Sequence, residues 1–304
     1  MKKDMLHSNI PKMALVLATV IWGGSYVMMK NATDSIPMNY LLAFRFTGAS
    51  IILSVIFNKS ARKINKTYLK HGSVMGTALF LAYTFQTIGL KDTTPGKSAF
   101  LTAVYCVVVP FIAYLYGKEK IDKYNFIAAG ACIAGIGLVS IEGGMYISRG
   151  DVWTLVGGFF FAVHMITIAM FTGKKGADFV TLTIVQFMTA AVYTWIMAIS
   201  FETFPTGFGT DTILELGYLI VFATAGCLLL QSFGQTYTTA SSASLILSLE
   251  SVFGVLFSVI FYKEKVTLKM IAGFVLIFFS IVVSETKLAF LSKESVTEAE
   301  KVKA

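Results

Sequence analysis

Two stretches of the chain, GLKDTTPGKSAFLTAVYCVVVPFIAYLYGKEK (Gly89–Lys120) and GQTYTTASSASLILSLESVFGVLFSVIFYKEK (Gly234–Lys265), align without a gap at an offset of 145 residues. In the slightly longer window from Gln86 to Lys120, eight of 35 positions are identical, more than shared composition alone would give. The identical pairs are Gln86/Gln231, Gly89/Gly234, Thr93/Thr238, Thr94/Thr239, Val107/Val252, Lys118/Lys263, Glu119/Glu264 and Lys120/Lys265. This self-similarity predicts an internal duplication.

The composition predicts that most of the chain lies in lipid. Of 304 residues, 56% are hydrophobic and 14% are charged, with a mean hydropathy of +0.72, whereas a soluble domain carries roughly a quarter charged residues. Apolar runs of the length that crosses a bilayer as a helix lie near 13–31, 38–58, 71–90, 96–117, 123–141, 151–172, 179–201, 213–238, 241–262 and 267–287. They are too long for barrel strands, so we predict an all-α integral membrane protein with ten transmembrane helices.

Each copy of the repeat holds five predicted helices, an odd number, so the second copy must enter the membrane from the opposite side. The predicted units are residues 1–145 and 146–290, and a polar tail at 291–304 is expected to be disordered. Overlay of the two copies also places Arg45 on Gln186. Inverted repeats are typical of secondary transporters, in which one central site opens to each side of the membrane in turn.

The lysine and arginine residues outside the helix cores predict the orientation. With the N-terminus inside, the inner segments hold 17 of these residues and the outer loops hold 7, counting Lys97 among the outer ones. This excess predicts cytoplasmic termini and a multi-pass protein of the inner (plasma) membrane. The net charge of +8 is therefore interpreted as an orientation signal and not as a nucleic-acid site. The first run lacks a clear cleavage site and is expected to be a retained helix.

Several short motifs resemble a known family when their order and spacing are taken together. They are ATVIWGGSYVMMK (Ala18–Lys30), FRF (Phe44–Phe46), AFLTAVYCVVVPF (Ala99–Phe111) and SLESVF (Ser248–Phe253), followed by Glu264 and Gly273. Over nearly the whole chain they resemble the EamA family of the drug/metabolite transporter superfamily. The resemblance implies ten helices, cytoplasmic termini and export of small metabolites such as amino acids. It also implies a central cavity lined by helices 1–4 and 6–9. The family usually has a proline after the glutamate of helix 9, where this chain has Ser251, so a kink is not expected from that residue.

Two ionisable residues lie deep in predicted helices, where insertion of a charge is unfavourable. Glu250 is ten residues into helix 9, so it should face a cavity or a partner. Its possible roles are to carry a proton, to bind a cationic substrate group, or to pack as a protonated side chain. Arg45, in helix 2, could bind a substrate carboxylate through two hydrogen bonds. The alternative for Arg45 is a structural role on backbone carbonyls or an acidic partner.

The remaining candidate binding residues are amides, aromatic residues and one histidine. Amides in lipid need partners, which are either neighbouring helices or the substrate. Aromatic rings with polar tips suit a pocket for an amphipathic ligand, although they also pack or face lipid. His164 could carry a proton or serve as a packing residue. These candidates are Trp22, Tyr26, Tyr83, Gln86, Tyr105, His164, Gln186, Gln231 and Gln235.

The sequence favours a non-enzymatic secondary transporter for a small molecule, driven by a proton or counter-substrate gradient, because it contains no P-loop. Multidrug or organic-cation efflux is the alternative substrate class. A lipid-modifying membrane enzyme is less favoured, since no catalytic motif is found, and a receptor or assembly factor leaves the repeat unexplained. No cofactor, metal or disulfide is expected, because Cys106, Cys132 and Cys227 lie in apolar runs without ligand spacing. Small residues four apart in helix 5, such as Gly130 and Ala134, fit either a monomer or a homodimer.

Overall fold

The computed structural model describes residues 9–116, 120–140 and 148–286, and this part of the chain contains helices but no strand. Helices fill every predicted run: α1 (Ile10–Ser35), α2 (Met38–Ile56), α3 (Lys66–Lys91), α4 (Pro95–Leu115), α5 (Lys123–Ser140), α6 (Arg149–Thr172), α7 (Phe179–Phe201), α8 (Thr210–Tyr237), α9 (Ala240–Tyr262) and α10 (Leu268–Thr286). Eight are long and apolar enough to cross a membrane, while α5 and α10 are shorter apolar helices. The tail predicted at 291–304 and the residues Lys118 and Glu119 lie outside the described ranges.

Side-chain caps determine where several of these helices begin. Asn65 accepts hydrogen bonds from the backbone N–H groups of Thr67 and Tyr68, so α3 begins five residues before the apolar run does. Thr94 and Thr239, an identical pair of the repeat, cap α4 and α9 in the same way. A capping hydroxyl satisfies a backbone donor that the first helical turn leaves free, which fixes the start of the helix.

The first five helices and the last five pack in the same way when α1 is matched with α6, α2 with α7, and so on to α5 with α10. The contacts of α1 with α8 and α9 correspond to those of α6 with α3 and α4, and the contact of α2 with α8 corresponds to that of α7 with α3. Three pairs, α2 with α7, α4 with α9 and α5 with α10, consist of corresponding helices. The two halves of the chain therefore use the same packing partners.

Polar contacts join helix termini at both ends of the bundle. At one end, which we call the Thr94 end, the Glu264 carboxylate after α9 meets Thr94 at the start of α4. At the other, the Asp178 end, the Asp178 carboxylate before α7 accepts hydrogen bonds from Ser60 (2.9 Å) and Lys63 (2.7 Å), which follow α2. The carboxyl end of α9 and the amino end of α4 thus lie together, as do the carboxyl end of α2 and the amino end of α7.

Lys97 differs from its predicted placement in an outer loop. It lies in the first turn of α4 with its side chain 5% exposed, and its Nζ is 2.9 Å from Oδ2 of Asp151, which is fully buried in the first turn of α6. The hydroxyl of Thr93 donates to Oδ1 of the same carboxylate at 3.1 Å. A buried lysine requires such a partner, because an unpaired charge away from water is strongly unfavourable.

The small residues of α5 face in two directions. Gly135 packs on Gly273 of α10 so closely that a Cβ on either glycine would lie 2.8 Å from the carbonyl oxygen of the other. Gly130 is exposed, and a Cβ there would meet no atom within 4 Å. One small-residue face of α5 therefore packs within the chain, and the other is open.

Candidate functional site

A narrow cavity between the two halves gathers most of the predicted binding residues. Eight of them line it: Trp22, Tyr26, Arg45, Tyr83, Gln86, Tyr105, Gln231 and Glu250. The lining also includes Ser25, Met29, Leu90, Phe161, Met165 and Leu247, so helices α1, α2, α3, α4, α6, α8 and α9 all contribute. All but Gln86 and Phe161 of these residues are buried, which means that the cavity is largely closed to solvent.

Pairs of residues that align in the two halves of the sequence both contribute to the lining of this cavity. Gln86 and Gln231 are 145 residues apart, as are Tyr105 and Glu250, and all four contribute to the lining. Phe46 and Phe187, which also correspond, approach with their ring centroids 6.4 Å apart. The cavity is therefore built from equivalent parts of both halves.

The Glu250 carboxylate is buried in a group of neutral polar side chains. The Tyr26 hydroxyl donates to Oε1 of Glu250 at 3.5 Å, a long contact. Nε2 of Gln86 in turn donates to the Tyr26 oxygen at 3.1 Å and to the Thr102 hydroxyl at 3.2 Å. Tyr105 lies beside the same carboxylate. None of the described residues forms an ion pair with Glu250, so the carboxyl group remains available to a cationic group or a proton.

Arg45 lines the same cavity and has no acidic partner among the described residues. Its Nε donates to the Thr224 hydroxyl at 3.1 Å, Nη1 lies 3.1 Å from the Met29 sulfur, and Cζ is 4.8 Å from the centre of the Tyr83 ring. The aromatic face and the hydroxyl stabilise the guanidinium without neutralising its charge. Its positive charge is thus available to an anionic ligand group.

Helix α8 supports both Arg45 and Trp22 through a segment with π-helical hydrogen bonding, Leu219–Gly226. The Trp22 indole N–H donates to the Ala223 carbonyl at 2.7 Å, and the Thr224 hydroxyl that receives Arg45 donates to the Leu219 carbonyl at 2.6 Å. π-Helical turns often mark functional positions, since they release backbone groups from the regular ladder. Trp22 and Arg45, which both line the cavity, are therefore hydrogen-bonded to this π-helical segment.

Helices α4 and α9 break next to the cavity, at equivalent positions. The first segment of α4 ends at Thr102 and the next begins at Tyr105, whereas α9 changes segment between Ser248 and Glu250. Neither break coincides with a proline, because Pro110 lies further along α4 and Ser251 replaces the family proline in α9. Discontinuous helices at a repeat interface are typical of transporter binding sites.

Three predicted residues lie outside the cavity lining. His164 and Gln186 bind each other, with His164 Nε2 2.9 Å from Gln186 Oε1. Gln235 donates to the backbone carbonyl of Met165 at 3.1 Å and lines a second cavity. Their remaining polar atoms, His164 Nδ1, Gln186 Nε2 and Gln235 Oε1, are buried and have no hydrogen-bond partner in the described part of the chain.

The lining residues that we did not predict from sequence are mostly apolar. Phe161 and Met165 of α6 lie 139 residues after Trp22 and Tyr26 of α1, and all four line the cavity. Overlay of the first helix on the sixth would have found them. Ser25, Met29 and Leu247 carry no pattern that separates them from ordinary helix-packing residues.

Eight helices that could cross a membrane, around a closed cavity lined by aromatic, apolar and a few polar side chains, fit a multi-pass membrane transporter. The EamA-like transporter family matches residues 10–141 and, a second time, residues 148–286. The chain belongs to this family, and like the family it is a non-enzymatic membrane transporter that binds a small molecule within the bilayer.

Similar proteins agree with this assignment. An uncharacterized transporter of Archaeoglobus fulgidus is 30% identical over 274 residues, which cover 89% of this chain and 84% of that protein. The uncharacterized transporter YoaV of Bacillus subtilis is 23% identical, over 87% of this chain and 93% of its own. A crystal structure that is 15% identical covers 93% of this chain with a TM-score of 0.71 and shares the fold.

Proposed function

We propose that this protein is a secondary transporter that exports a small amphipathic metabolite such as an amino acid. The observation that carries the proposal is the presence of one basic and one acidic side chain in the same closed cavity: Arg45 and Glu250 both line it, yet Arg45 binds Thr224 and Met29, not Glu250. A ligand with a carboxylate and an ammonium group would give Arg45 an anionic partner and Glu250 a cationic one.

Alternating access through inverted repeats is the mechanism that we propose. The units are residues 1–145 and 146–290, and ten helices cross the membrane, so that α5 and α10 are also spans. Support comes from the double family match, from the shared packing partners of the two halves and from the paired helix breaks beside Tyr105 and Glu250. Motion of one half against the other would expose the same cavity to each side in turn.

Efflux of organic cations is the second candidate, and the surroundings of Glu250 favour it. Tyr26 and Tyr105 flank the carboxyl group, and Trp22 lies in the same wall. Aromatic faces beside one acid attract cations without any need for a carboxylate partner. In this case, Arg45 would have a structural role, holding α2 to α8 through Thr224.

We further propose that both termini are cytoplasmic, that the protein resides in the plasma membrane and that a proton or counter-substrate gradient drives transport. The lysine-rich segment that includes Lys59, Lys63 and Lys70 supports this orientation. In the proposed orientation, the Asp178 end would lie in the cytoplasm and the Thr94 end outside. Glu250 is the residue that we propose for proton coupling, because it is a buried acid in the cavity.

A ligand screen by thermal unfolding of the detergent-purified protein tests the substrate class, because a ligand that binds only the folded state raises its stability. Amino acids, amines and quaternary cations are compared, first on the unchanged protein and then on Glu250→Gln and Arg45→Gln. If an amino acid raises the unfolding temperature of the unchanged protein but of neither single variant, the result supports the proposal. A cation response that only Glu250→Gln abolishes supports the second candidate. Responses that neither substitution alters would remove this cavity as the binding site.

Topology is tested separately, by cysteine substitution at Lys120 and Lys265 and labelling with a membrane-impermeant thiol reagent. The inverted-repeat proposal expects Lys265→Cys to react in intact cells and Lys120→Cys to react only in inside-out vesicles. Labelling of both from the same side would exclude inversion of the halves.

A further inference from the structure

Glu264 fastens the end of α9 to the start of α4. Its carboxylate accepts hydrogen bonds from the Thr94 hydroxyl, from the Ser258 hydroxyl and from the backbone N–H of Gly96, the last at 3.0 Å. Two of these donors belong to the first turn of α4, where a negative charge is favoured by the helix dipole. We call these bonds, taken together, the Glu264 contact.

The local backbone is shaped for this contact. Lys263 has a φ of 58°, in the left-handed region that non-glycine residues seldom adopt, and it turns the chain back after the π-helical segment Ser258–Tyr262. On the other side, a Cβ on Gly96 would lie 2.7 Å from Oε2 of Glu264. A side chain at position 96 would therefore displace the carboxylate.

The same part of α4 is also fastened to α6. Lys97, which follows Gly96, forms the buried ion pair with Asp151. Further along, Ala99 lies against Gly254 so closely that a Cβ on Gly254 would lie 2.3 Å from that of Ala99. The segment Pro95–Thr102 is thus held on two sides at the Thr94 end.

The opposite ends of α4 and α9 are arranged differently. Ala113 near the end of α4 and Thr239 at the start of α9 line a second cavity, together with Ile166 and Gln235. Met165, next to Ile166, belongs to the lining of the central cavity. Contacts of a charged carboxylate therefore join α4 to α9 and to α6 at the Thr94 end, whereas the opposite ends of α4 and α9 border open space. At the Asp178 end, the contact of Lys63 with Asp178 joins α2 to α7 instead.

We propose that the Glu264 contact is the closure of the central cavity at the Thr94 end, and that its rupture is a required step in opening the cavity to that side. This inference rests on the proposed alternating access. The contact links the two halves directly, because Thr94 and Gly96 belong to the first and Glu264 and Ser258 to the second. Separation of α4 from α9 at this end cannot occur while the carboxylate holds both.

The test measures access to the cavity and does not require a known substrate. Ser25 lines the cavity and is 9% exposed, so the full-length chain with Ser25→Cys reports opening through its reaction with a membrane-impermeant thiol reagent. The reaction is followed in intact cells and in inside-out vesicles. Chains that retain Ser25 give the background from the native cysteines, all of which are buried.

Glu264→Gln and Thr94→Val are each combined with Ser25→Cys. Each weakens the contact, and we expect labelling from the Thr94 side to accelerate about tenfold, as expected when a hydrogen bond to a charged group is lost. Thr94→Ser retains the hydroxyl donor and should react like the unchanged protein. The milder Thr94→Val keeps the test informative if Glu264→Gln does not fold.

Glu202→Gln is the matched control. Glu202 follows α7 and accepts hydrogen bonds from the backbone N–H groups of Asn39 (2.9 Å) and Tyr40 (3.1 Å) at the start of α2. It therefore also joins the two halves through helix termini, but through those of α2 and α7 and not those of α4 and α9. Its substitution should leave the labelling of Ser25→Cys unchanged. An equal acceleration by Glu202→Gln would indicate general loosening and would overturn the proposal.

The outcomes separate this inference from the proposed function. Faster labelling in Glu264→Gln without transport of any amino acid or cation would leave the closure standing and refute the substrate proposal. Unchanged labelling in folded Glu264→Gln and Thr94→Val proteins, with transport present, would refute the closure alone.

Discussion

Val104 and Leu249 interrupt two different helices at the same place in the repeat, 145 residues apart. The N–H of Val104 bonds to the Leu101 carbonyl at 3.3 Å, and the N–H of Leu249 bonds to the Ile246 carbonyl at 3.2 Å, three residues back in both cases. The residues that follow, Tyr105 and Glu250, meet in the central cavity. The two stretches that align at an offset of 145 residues therefore share backbone geometry at this position but carry a phenol in one and a carboxyl in the other.

Thr224 is expected to position Arg45 for ligand binding. Thr224→Val removes the hydroxyl that accepts from Arg45 Nε and leaves a buried charged donor unpaired, which costs roughly 1–3 kcal/mol. We expect weaker binding of any anionic ligand found in the thermal screen, measured as a higher half-saturating concentration. Thr224→Ser restores the acceptor and should restore the affinity. Equal affinities for all three proteins would show that Arg45 needs no such support.

The buried Lys97–Asp151 pair is expected to stabilise the fold only as a pair. Lys97→Met leaves the Asp151 carboxylate unpaired, and loss of one partner of a buried pair costs about 3–5 kcal/mol. The double variant Lys97→Met/Asp151→Asn removes the charge but retains a partner for Thr93, so it should unfold at higher denaturant than Lys97→Met. Unfolding by titration with SDS in mixed micelles measures both. A double variant less stable than the single one would contradict this account.

The α5–α10 contact predicts that substitution of alanine for glycine has different effects on stability at Gly273 and at Gly130. A Cβ at Gly273 would lie 2.5 Å from Cγ2 of Val139, so Gly273→Ala should destabilise the protein by about 1–3 kcal/mol through overpacking. Gly130→Ala meets no atom within 4 Å and should be neutral or slightly stabilising. The same SDS titration distinguishes them, and equal effects at both positions would argue against this packing.

Asp178 is expected to make the stability of the folded protein depend on pH in the acidic range. Partial burial alone would raise the pKa of its carboxyl group, but hydrogen bonds from Lys63 and Ser60 outweigh burial and lower the pKa below its ordinary value of 3.8. The folded protein therefore holds the ionised form more strongly than the unfolded chain does. This stabilisation is complete above pH 3.8 and is lost as the pH falls through the lower folded pKa.

Asp178→Asn provides the measurement for this dependence. Unfolding temperatures of the two proteins should differ at neutral pH and converge as the solution is acidified below the ordinary carboxyl range. Because Lys63 is largely exposed, added salt should reduce the difference at neutral pH. A gap that widens on acidification would show that Asp178 does not act through its charge.

The hydropathy of the sequence predicts the helices well, because each helix in lipid must satisfy its own backbone and its side chains must be apolar. α7 begins and ends at the predicted residues, Phe179 and Phe201. α3 begins earlier than predicted because its first turn is polar and is fixed by Asn65. Lys97 was misplaced for a related reason, since hydropathy alone cannot recognise a lysine whose acidic partner is 54 residues away.

Residues of the candidate site could be predicted from sequence where two aligned positions of the chain carry similar side chains. Offset pairs such as Gln86 and Gln231 line the cavity together. The partnership of His164 with Gln186 depends on how α6 meets α7, which no local pattern encodes. The helix breaks at Val104 and Leu249 were not predicted either, because no proline or glycine marks them.

The π-helical segment of α8 sets the rotational phase of everything that follows it in that helix. A π-turn spends more residues per turn than an α-turn does, and one residue corresponds to about 100° of rotation about an α-helix axis. Conversion of Leu219–Gly226 to regular α-helix without a change in length would rotate Gln231 away from the position it now occupies, whereas deletion of a single residue there would compensate for most of that rotation. The π-helical winding of this short apolar stretch therefore determines which face of α8 is turned towards the cavity.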